Sequence, residues 1–403
     1  MIELSPDQQS CFDAIMSWYS DSGNFITLGG YAGSGKTTLI SKIRNELPAS
    51  IRIAFVAFTG KAASILRNKL QMFQIQRFPS DYCGTIHGLI YIPEVDELTN
   101  EVIGWSLVNR LDYDLIVIDE SSMVYETLFR DLQSFGIPIL AVGDHGQLPP
   151  VEGSLNLMKN PVLRLEKVHR FAESNPITHV SRLAREQGFI PNGTYGDLVH
   201  KVSNGHSMIT QFIDQSGDFQ NSAILCGFNK TRIGLNIKIR ERLGYKGKAP
   251  NIGERVICLK NNKDAKQCPI YNGVLGIVHD CSEHYPFYEL FCKIDGEERH
   301  YKGKISKTAF NNINPDMGEF IYEEEKSADQ SESSTAIPSG KKKRRYLDCF
   351  DFGYALTVHK SQGSEWDNVM VVEQPCKYWP GRDWNRWLYT AVTRAKNRLL
   401  IVR

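Results

Sequence analysis

The stretch "NFITLGGYAGSGKTTLI", residues 24 to 40, decides the reading of the fold. Phe25 to Leu28 is a short apolar run, and a helical pattern follows Thr37. Between them Gly30-Tyr31-Ala32-Gly33-Ser34-Gly35-Lys36-Thr37 spells G-x-x-x-x-G-K-T. Glycines at these places let backbone N–H groups curl around phosphate oxygens, and the helix that follows adds the positive end of its dipole. Lys36 is placed to reach the outer phosphates, and the Thr37 hydroxyl to hold magnesium. Strand, loop and helix together imply a nucleotide-phosphate site built from Gly33, Ser34, Gly35, Lys36, Thr37 and Thr38.

Outward from this loop, "IRIAFVAFTG" (51 to 60), "DLIVIDE" (114 to 120) and "PILAVGD" (138 to 144) repeat the same pattern of a short apolar run ending in a polar turn. Runs of that kind read as strands buried on both faces of a parallel sheet. Functional groups in such sheets gather at the carboxyl ends of the strands. Gly30, Thr59, Asp119 and Asp144 fall there. Asp119 and Glu120 close the strand "LIVIDE", where a buried pair of acids is costly without a cation to meet it. Asp119 is expected to hold magnesium, and Glu120 to orient and deprotonate an attacking water. Gln147, in "VGDHGQLPP", is neutral with both a donor and an acceptor, and suits sensing of the terminal phosphate.

A second set, "SAILCGFN" (222 to 229), "NVMVVE" (368 to 373) and "RLLIV" (398 to 402), predicts another α/β layer, so that two sheets face one cleft. The second half is interrupted. "GVLGIVHD", "YELFCKID" and "EERHYK", within 273 to 302, read as short antiparallel strands joined by turns. "EEEKSADQSESSTAIPSGKKKRR", Glu323 to Arg345, reads as a mobile polar loop whose basic run, Lys341 to Arg345, suits phosphate contact, nuclear import or a solvated face. A smaller insertion, "IYIPEVDELTNEVIGW" (90 to 105), suggests two short strands around a turn at Thr99 and Asn100. The aromatic cluster "KYWPGRDWNRW", Lys377 to Trp387, suits either base stacking or interface packing.

Bulk properties bound the rest. With 403 residues the chain has room for two or more cores, and 41% hydrophobic with 23% charged residues is ordinary for a globular protein. Apolar runs are far too short to span a bilayer. The opening "MIELSPDQQS" is neither basic nor apolar, so a secretory signal is not expected. Nine cysteines without a Cys-x-x-Cys pair suit reduced thiols. Cys281, His284, Cys292 and His300 match no strong zinc spacing. At a net charge of +1, any polyanion must be met by a local groove.

The ordered set "AGSGKTT", "AFTGKAA", "TIHGL", "DESSM", "GDHGQLPP", "VHR", "TVHKSQGSE" and "YTAVTRAK" resembles the superfamily 1 DNA helicases, and within them the 5′-to-3′ branch of RecD and Dda. The motifs run through nearly the whole chain. The resemblance implies an α/β fold of two RecA-like parallel-sheet motor domains, with a pin insertion in the first and an SH3-like β insertion in the second. The expected limits are 1–160 for the first core, with the pin at about 89–108. The second core is expected at 161–270 and 347–403. The β insertion is expected at 271–346, with the polar loop at about 323–345.

By the same resemblance, ATP and magnesium are the cofactors. Gln8 in "LSPDQQ" matches the adenine-reading glutamine, Arg394 the arginine finger, and Arg170 the second arginine from the other core. Thr59, Lys61, Thr85 and His87 match single-strand contacts on the first core, with Thr357, His359 and Lys360 on the second, while Gln362 sits between the two sites. Trp105, Tyr91 or Ile103 is the wedge of the pin, and Trp105 is also open to a core-packing reading. The implied activity is DNA-stimulated ATP hydrolysis driving duplex separation. The alternatives are a single-strand translocase, which strips bound proteins or works only inside a recombination or repair complex, and a slow nucleotide-gated clamp. Implied partners are single-stranded and forked DNA and a single-strand-binding, replication or recombination protein. A monomer in the cytoplasm of a bacterial or phage-infected cell, without membrane attachment, is expected.

Overall fold

The structure, a computed structural model, describes residues 4–73, 78–95, 102–149, 155–167, 175–203, 205–217, 219–260, 262, 270, 272–295, 300–313, 319–323, 342–375 and 381–403. The apolar runs at the start of the chain form a six-stranded, all-parallel sheet. Its spatial order is Tyr82–Thr85, Ile53–Ala57, Leu115–Asp119, Ile139–Gly143, Phe25–Gly30 and Leu163–Leu165. Alternate residues of each strand feed opposite faces, which is why the runs are continuous rather than alternating in polarity. Ile53 and Phe55 pack with Ile15, Leu39, Ile43 and Leu66 of the helices Pro6–Ser20, Lys36–Glu46 and Gly60–Met72. Ala54 and Val56 pack on the other face with Leu128 and Leu132 of the helix Glu126–Gln133.

The second sheet is built the same way. Ala355–Thr357, Ser222–Cys226, Trp366–Val372, Ala395–Val402 and Val199–Val202 run parallel, and Gly193–Tyr195 closes the edge antiparallel. The helices His206–Ser216 and Asn229–Arg242 cover one face through Phe212, Ile213, Leu235 and Ile239. Pro176–Gln187 and Arg382–Val392 cover the other through Val180, Ala184, Trp387 and Leu388. This second cluster also takes in Leu148 of the first half, so the two cores share apolar packing. Among the described residues no helix is long and apolar enough to cross a membrane.

The interruption is a five-stranded antiparallel sheet in the order His300–Ser306, Phe287–Ile294, Leu275–Glu283, Arg255–Cys258 and Phe350–Phe352. It therefore reaches beyond residues 271–346 on both sides. "RVIC" and "FDF" carry the same apolar signature as a core strand, and only pairing partners remote in sequence assign them to this sheet. Buried ion pairs fix it to the second core: Arg240 holds Glu254 through two hydrogen bonds of 2.7 and 2.9 Å, and Arg232 holds Asp351. Part of the expected polar loop is also ordered, since Glu319–Glu323 pairs with Lys342–Tyr346. Residues 324–341 lie outside the described residues.

The small insertion of the first core is a two-stranded hairpin, Tyr91–Val95 with Val102–Leu107. Thr99 and Asn100 lie outside the described residues. Core packing does not account for Trp105, which is 48% exposed. Tyr91 instead donates its hydroxyl to Asp131. In the aromatic cluster Trp384 and Trp387 stack at 5.0 Å, and Trp384 Nε1 donates to the Gly188 carbonyl at 2.8 Å. Packing within the second core, against the end of the helix Pro176–Gln187, thus holds these two rings, while residues 377–380 lie outside the described residues.

Candidate nucleotide and nucleic-acid site

The glycine loop turns between the strand Phe25–Gly30 and the helix Lys36–Glu46. Gly33 at φ 79° and Gly35 at φ 84° occupy the left-handed region that glycine alone adopts without strain. Lys36 Nζ donates to the Gly30 and Tyr31 carbonyls at 2.8 and 3.1 Å, which holds the ammonium at the loop. Gln8 lies directly behind it. Its Oε1 accepts from the Ser5 amide at 3.0 Å, and its Nε2 donates to the Ser34 carbonyl at 3.2 Å. A Cβ on Gly35 would come within 2.2 Å of that nitrogen, so the third glycine is also a matter of space.

Asp119 ends the central strand and is buried, its Oδ1 accepting the Glu120 amide at 3.0 Å. Glu120 sits at φ 51°, ψ 39°, a left-handed conformation that a non-glycine residue adopts at some cost. Burial and the neighbouring Asp119 charge raise the Glu120 carboxyl above its ordinary value, and Lys36 and Arg394 pull against that rise. Lys36 belongs to the first core and Arg394 to the second, so both cores act on one carboxylate. Arg394 is buried and held by its own core, donating to Thr390 O, Ser364 O and Thr393 Oγ1 at 3.0, 3.2 and 3.1 Å. Arg170 lies outside the described residues.

Gln147 donates Nε2 to Asp144 at 3.2 Å. Its Oε1 is buried without a hydrogen-bond partner among the described residues, as are Ser34 Oγ and Ser121 Oγ. Unpaired buried polar atoms are uncommon in folded proteins. Together with the Thr37 hydroxyl and the Asp119 carboxylate they fit a metal-bound polyphosphate.

The three threonines expected to touch a nucleic acid have a common local design. Thr59 Oγ1 accepts the Ala62 amide at 3.1 Å and caps the helix Gly60–Met72. Thr85 does the same for Ile86–Ile90, accepting from Gly88 at 3.0 Å. Thr357 accepts the Lys360 amide at 3.4 Å. A capping threonine satisfies one amide, and the helix end it serves attracts phosphate. His87 stands beside Phe58, Tyr91 and Tyr125, 5.6 to 6.5 Å between ring centres. His359 is lowered by burial, as is Lys360.

Lys61 is placed differently, over the Trp366 ring at 5.2 Å. Burial pushes its ammonium down to about 8, with Asp295 pulling up and Arg255 down. It therefore sits where both cores and the antiparallel sheet meet. Gln362 also crosses between cores, donating Nε2 to the Leu148 carbonyl at 3.2 Å. Sequence reasoning did not single out Tyr389, Tyr31 or Arg185. A tyrosine within an apolar helix reads as core, and nothing nearby in sequence marks its partners.

The chain's residues 3–195 match the AAA domain model, and 352–402 match the UvrD-like helicase C-terminal domain model. These two matches, with the relatives below, make the chain similar to superfamily 1 helicases of the RecD and Dda kind. It is similar to the ATP-dependent RecD2 DNA helicase of Deinococcus radiodurans, 25% identical over 416 residues, covering 98% of this chain and 48% of that protein. The chain thus spans about half the length of that relative. It is also similar to the ATP-dependent DNA helicase Dda of Enterobacteria phage T4, 29% identical over 160 residues, covering 38% of this chain and 34% of Dda. Among solved structures, the Bacteroides Pif1 helicase in complex with ADP-AlF3 and ssDNA superposes over 100% of this chain and 92% of its own. The TM-score is 0.56 at 18% identity. That likeness speaks to the fold alone, two RecA-like cores.

Proposed function

We propose that this RecD/Dda-like chain is an ATP-driven DNA helicase that moves 5′-to-3′ on a single strand and separates the duplex ahead. The observation that carries the reading is the meeting of the two cores at one site. Gln362 of the second donates to the Leu148 carbonyl of the first at 3.2 Å, next in sequence to Gln147 with its unpaired Oε1. Lys36 of one core and Arg394 of the other both act on Glu120. Such a site works only when the cores meet. Glu120, its carboxyl raised, takes the proton of the attacking water, and the unpaired Gln147 Oε1 is an acceptor that would hold that water in line. Thr37 and Asp119 would hold magnesium, which when bound offsets charge on the outer phosphates. Arg394 and Arg170 stabilise the transferring phosphoryl group, and Gln8 reads the base.

Thr59, Thr85 and His87 grip the strand on one core and Thr357, His359 and Lys360 on the other. Contacts of this kind go to phosphate and sugar, so movement is independent of sequence. Closure on ATP shortens the distance between the two grips, and release after hydrolysis lengthens it, which yields an inchworm step. Separating one base-pair step costs on average about 1.4 kcal/mol, small beside ATP turnover in a cell. The hairpin that carries exposed Trp105 is the wedge. The partners are forked and single-stranded DNA and a single-strand-binding, replication or recombination protein, met by a monomer in the cytoplasm of a bacterial or phage-infected cell.

The test is ATP-dependent separation of a short duplex with a single-stranded tail on one side. Separation with the 5′ tail alone is expected. Separation with the 3′ tail alone contradicts the polarity, and DNA-stimulated turnover without separation on either tail makes the chain a translocase.

A further inference from the structure

Tyr389 lies on the helix Arg382–Val392 of the second core, and its buried side chain packs in that core's cluster and reaches the first at its hydroxyl end. Its hydroxyl accepts the Ala32 amide of the phosphate loop at 3.0 Å and donates to Asp144 Oδ2 at 2.9 Å. Asp144 is itself committed, accepting from the Gly146 amide at 2.9 Å and from Gln147 Nε2 at 3.2 Å. The ring fits closely as well, since a Cβ on Gly146 would approach its edge to 2.9 Å.

The preceding loop residue is gripped from the same side. The Arg185 guanidinium, on the helix Pro176–Gln187 of the second core, lies 3.7 Å over the Tyr31 ring. His145 packs against that ring at 4.3 Å. The loop that carries Asp144 and Gln147 is tied down beyond them too, where Thr390 Oγ1 accepts the Leu148 amide at 3.1 Å. Burial and the Asp144 charge push the Tyr389 phenol well above its ordinary value, so the hydroxyl keeps its proton and remains the donor.

We propose that Tyr389 is a positioning residue through which the second core reads the phosphate loop. Its hydroxyl links the Ala32 amide to Asp144 and hence to Gln147. The inference rests on the reading of Gly30–Thr37 as an ATP loop. The amides of such a loop turn toward phosphate when nucleotide binds. A ligand that draws on the Ala32 amide therefore disturbs a bond whose other end is anchored in the helix that precedes Arg394. Tyr389 couples nucleotide occupancy to the spacing of the two DNA grips without touching the reacting atoms itself.

The test uses the full chain with Tyr389→Phe, which keeps the ring and removes only the hydroxyl. Coupling is measured as the ratio of affinities for a labelled oligothymidylate with and without a non-hydrolysable ATP analogue. That ratio is expected to collapse about tenfold towards one. Under saturating oligonucleotide, kcat falls about tenfold while KM for ATP stays within about threefold, and the melting temperature hardly moves. Adding Asp144→Asn to Tyr389→Phe brings little further loss of coupling, because both changes cut one link.

A wild-type coupling ratio in Tyr389→Phe overturns the proposal. So does a loss of coupling that merely tracks a lowered melting temperature. A DNA-free measurement separates this failure from failure of the helicase reading. Amide exchange of residues 29–35 is expected to be faster in Tyr389→Phe, and the difference to vanish when the analogue binds. Equal exchange in the two proteins rejects the bridge, whatever DNA does to turnover.

Discussion

The two cores are built alike and contribute differently. In the first, only the small hairpin Tyr91–Leu107 interrupts the parallel sheet, and the glycine loop, Thr59, Thr85, Asp119 and Asp144 stand at or just beyond a strand's carboxyl end. In the second, the antiparallel sheet from Arg255 to Phe352 divides the core. Its contributions to the nucleotide site come from a late helix and loop. Their partners are far off in sequence, 357 positions for Tyr389 with Ala32 and 214 for Gln362 with Leu148. The first core assembles a phosphate cradle from local chain geometry. The second supplies side chains that matter only when the two cores are together.

That contrast can be broken most sharply at Glu120, where both cores meet. Glu120→Gln keeps the shape and removes the proposed base. Turnover with DNA present is expected to drop by about 10² to 10⁴, the range for a lost general base. The pH profile carries the sign. Because burial and Asp119 raise the carboxyl, the base is protonated, and turnover falls, as pH drops through a value above the ordinary carboxylate range. An acid limb at the ordinary value would show Glu120 to be solvated and the cleft open.

The Tyr389→Phe change, at about tenfold in kcat, falls between this effect and a smaller one at Lys61. Lys61 binds its proton less tightly in the fold, at about 8 against 10.5. Between those values the unfolded chain holds more protons than the folded one, so stability from this residue rises as pH increases through that window. Lys61→Met should raise the melting temperature by a few degrees at pH 7 and flatten its dependence on pH from about 8 to 10.5. A lower melting temperature at pH 7 would mean that the attraction to Trp366 and Asp295 outweighs desolvation. Lys61 would then be a strut between the cores.

What was legible in the sequence follows the same division. Strands buried on both faces of a parallel sheet must be apolar throughout, so "FITL", "IAFVA", "LIVID" and "ILAVG" stood out. The phosphate loop was legible because glycine at Gly33 and Gly35 answers a backbone requirement that no other residue meets without strain. The limits of the antiparallel sheet were not, because Arg255–Cys258 is apolar and short whichever sheet it joins. Trp105 and Tyr389 show why single aromatic residues mislead. One is exposed on a hairpin and the other is buried across a cleft, and local pattern reports neither. The threonines were noticed as strand contacts, yet their capping of helix ends needed the amide positions to be seen.

The central claim is that one active site is completed across the cleft, and Arg394→Ala tests it most directly. ATP turnover should be measured with saturating oligothymidylate, alongside DNA affinity without nucleotide. A loss of about 10³ or more in turnover, as expected for an arginine finger, with DNA affinity within about threefold, is the expected result. Stimulated turnover retained in Arg394→Ala would contradict it, and would leave the first core as an ATPase complete in itself.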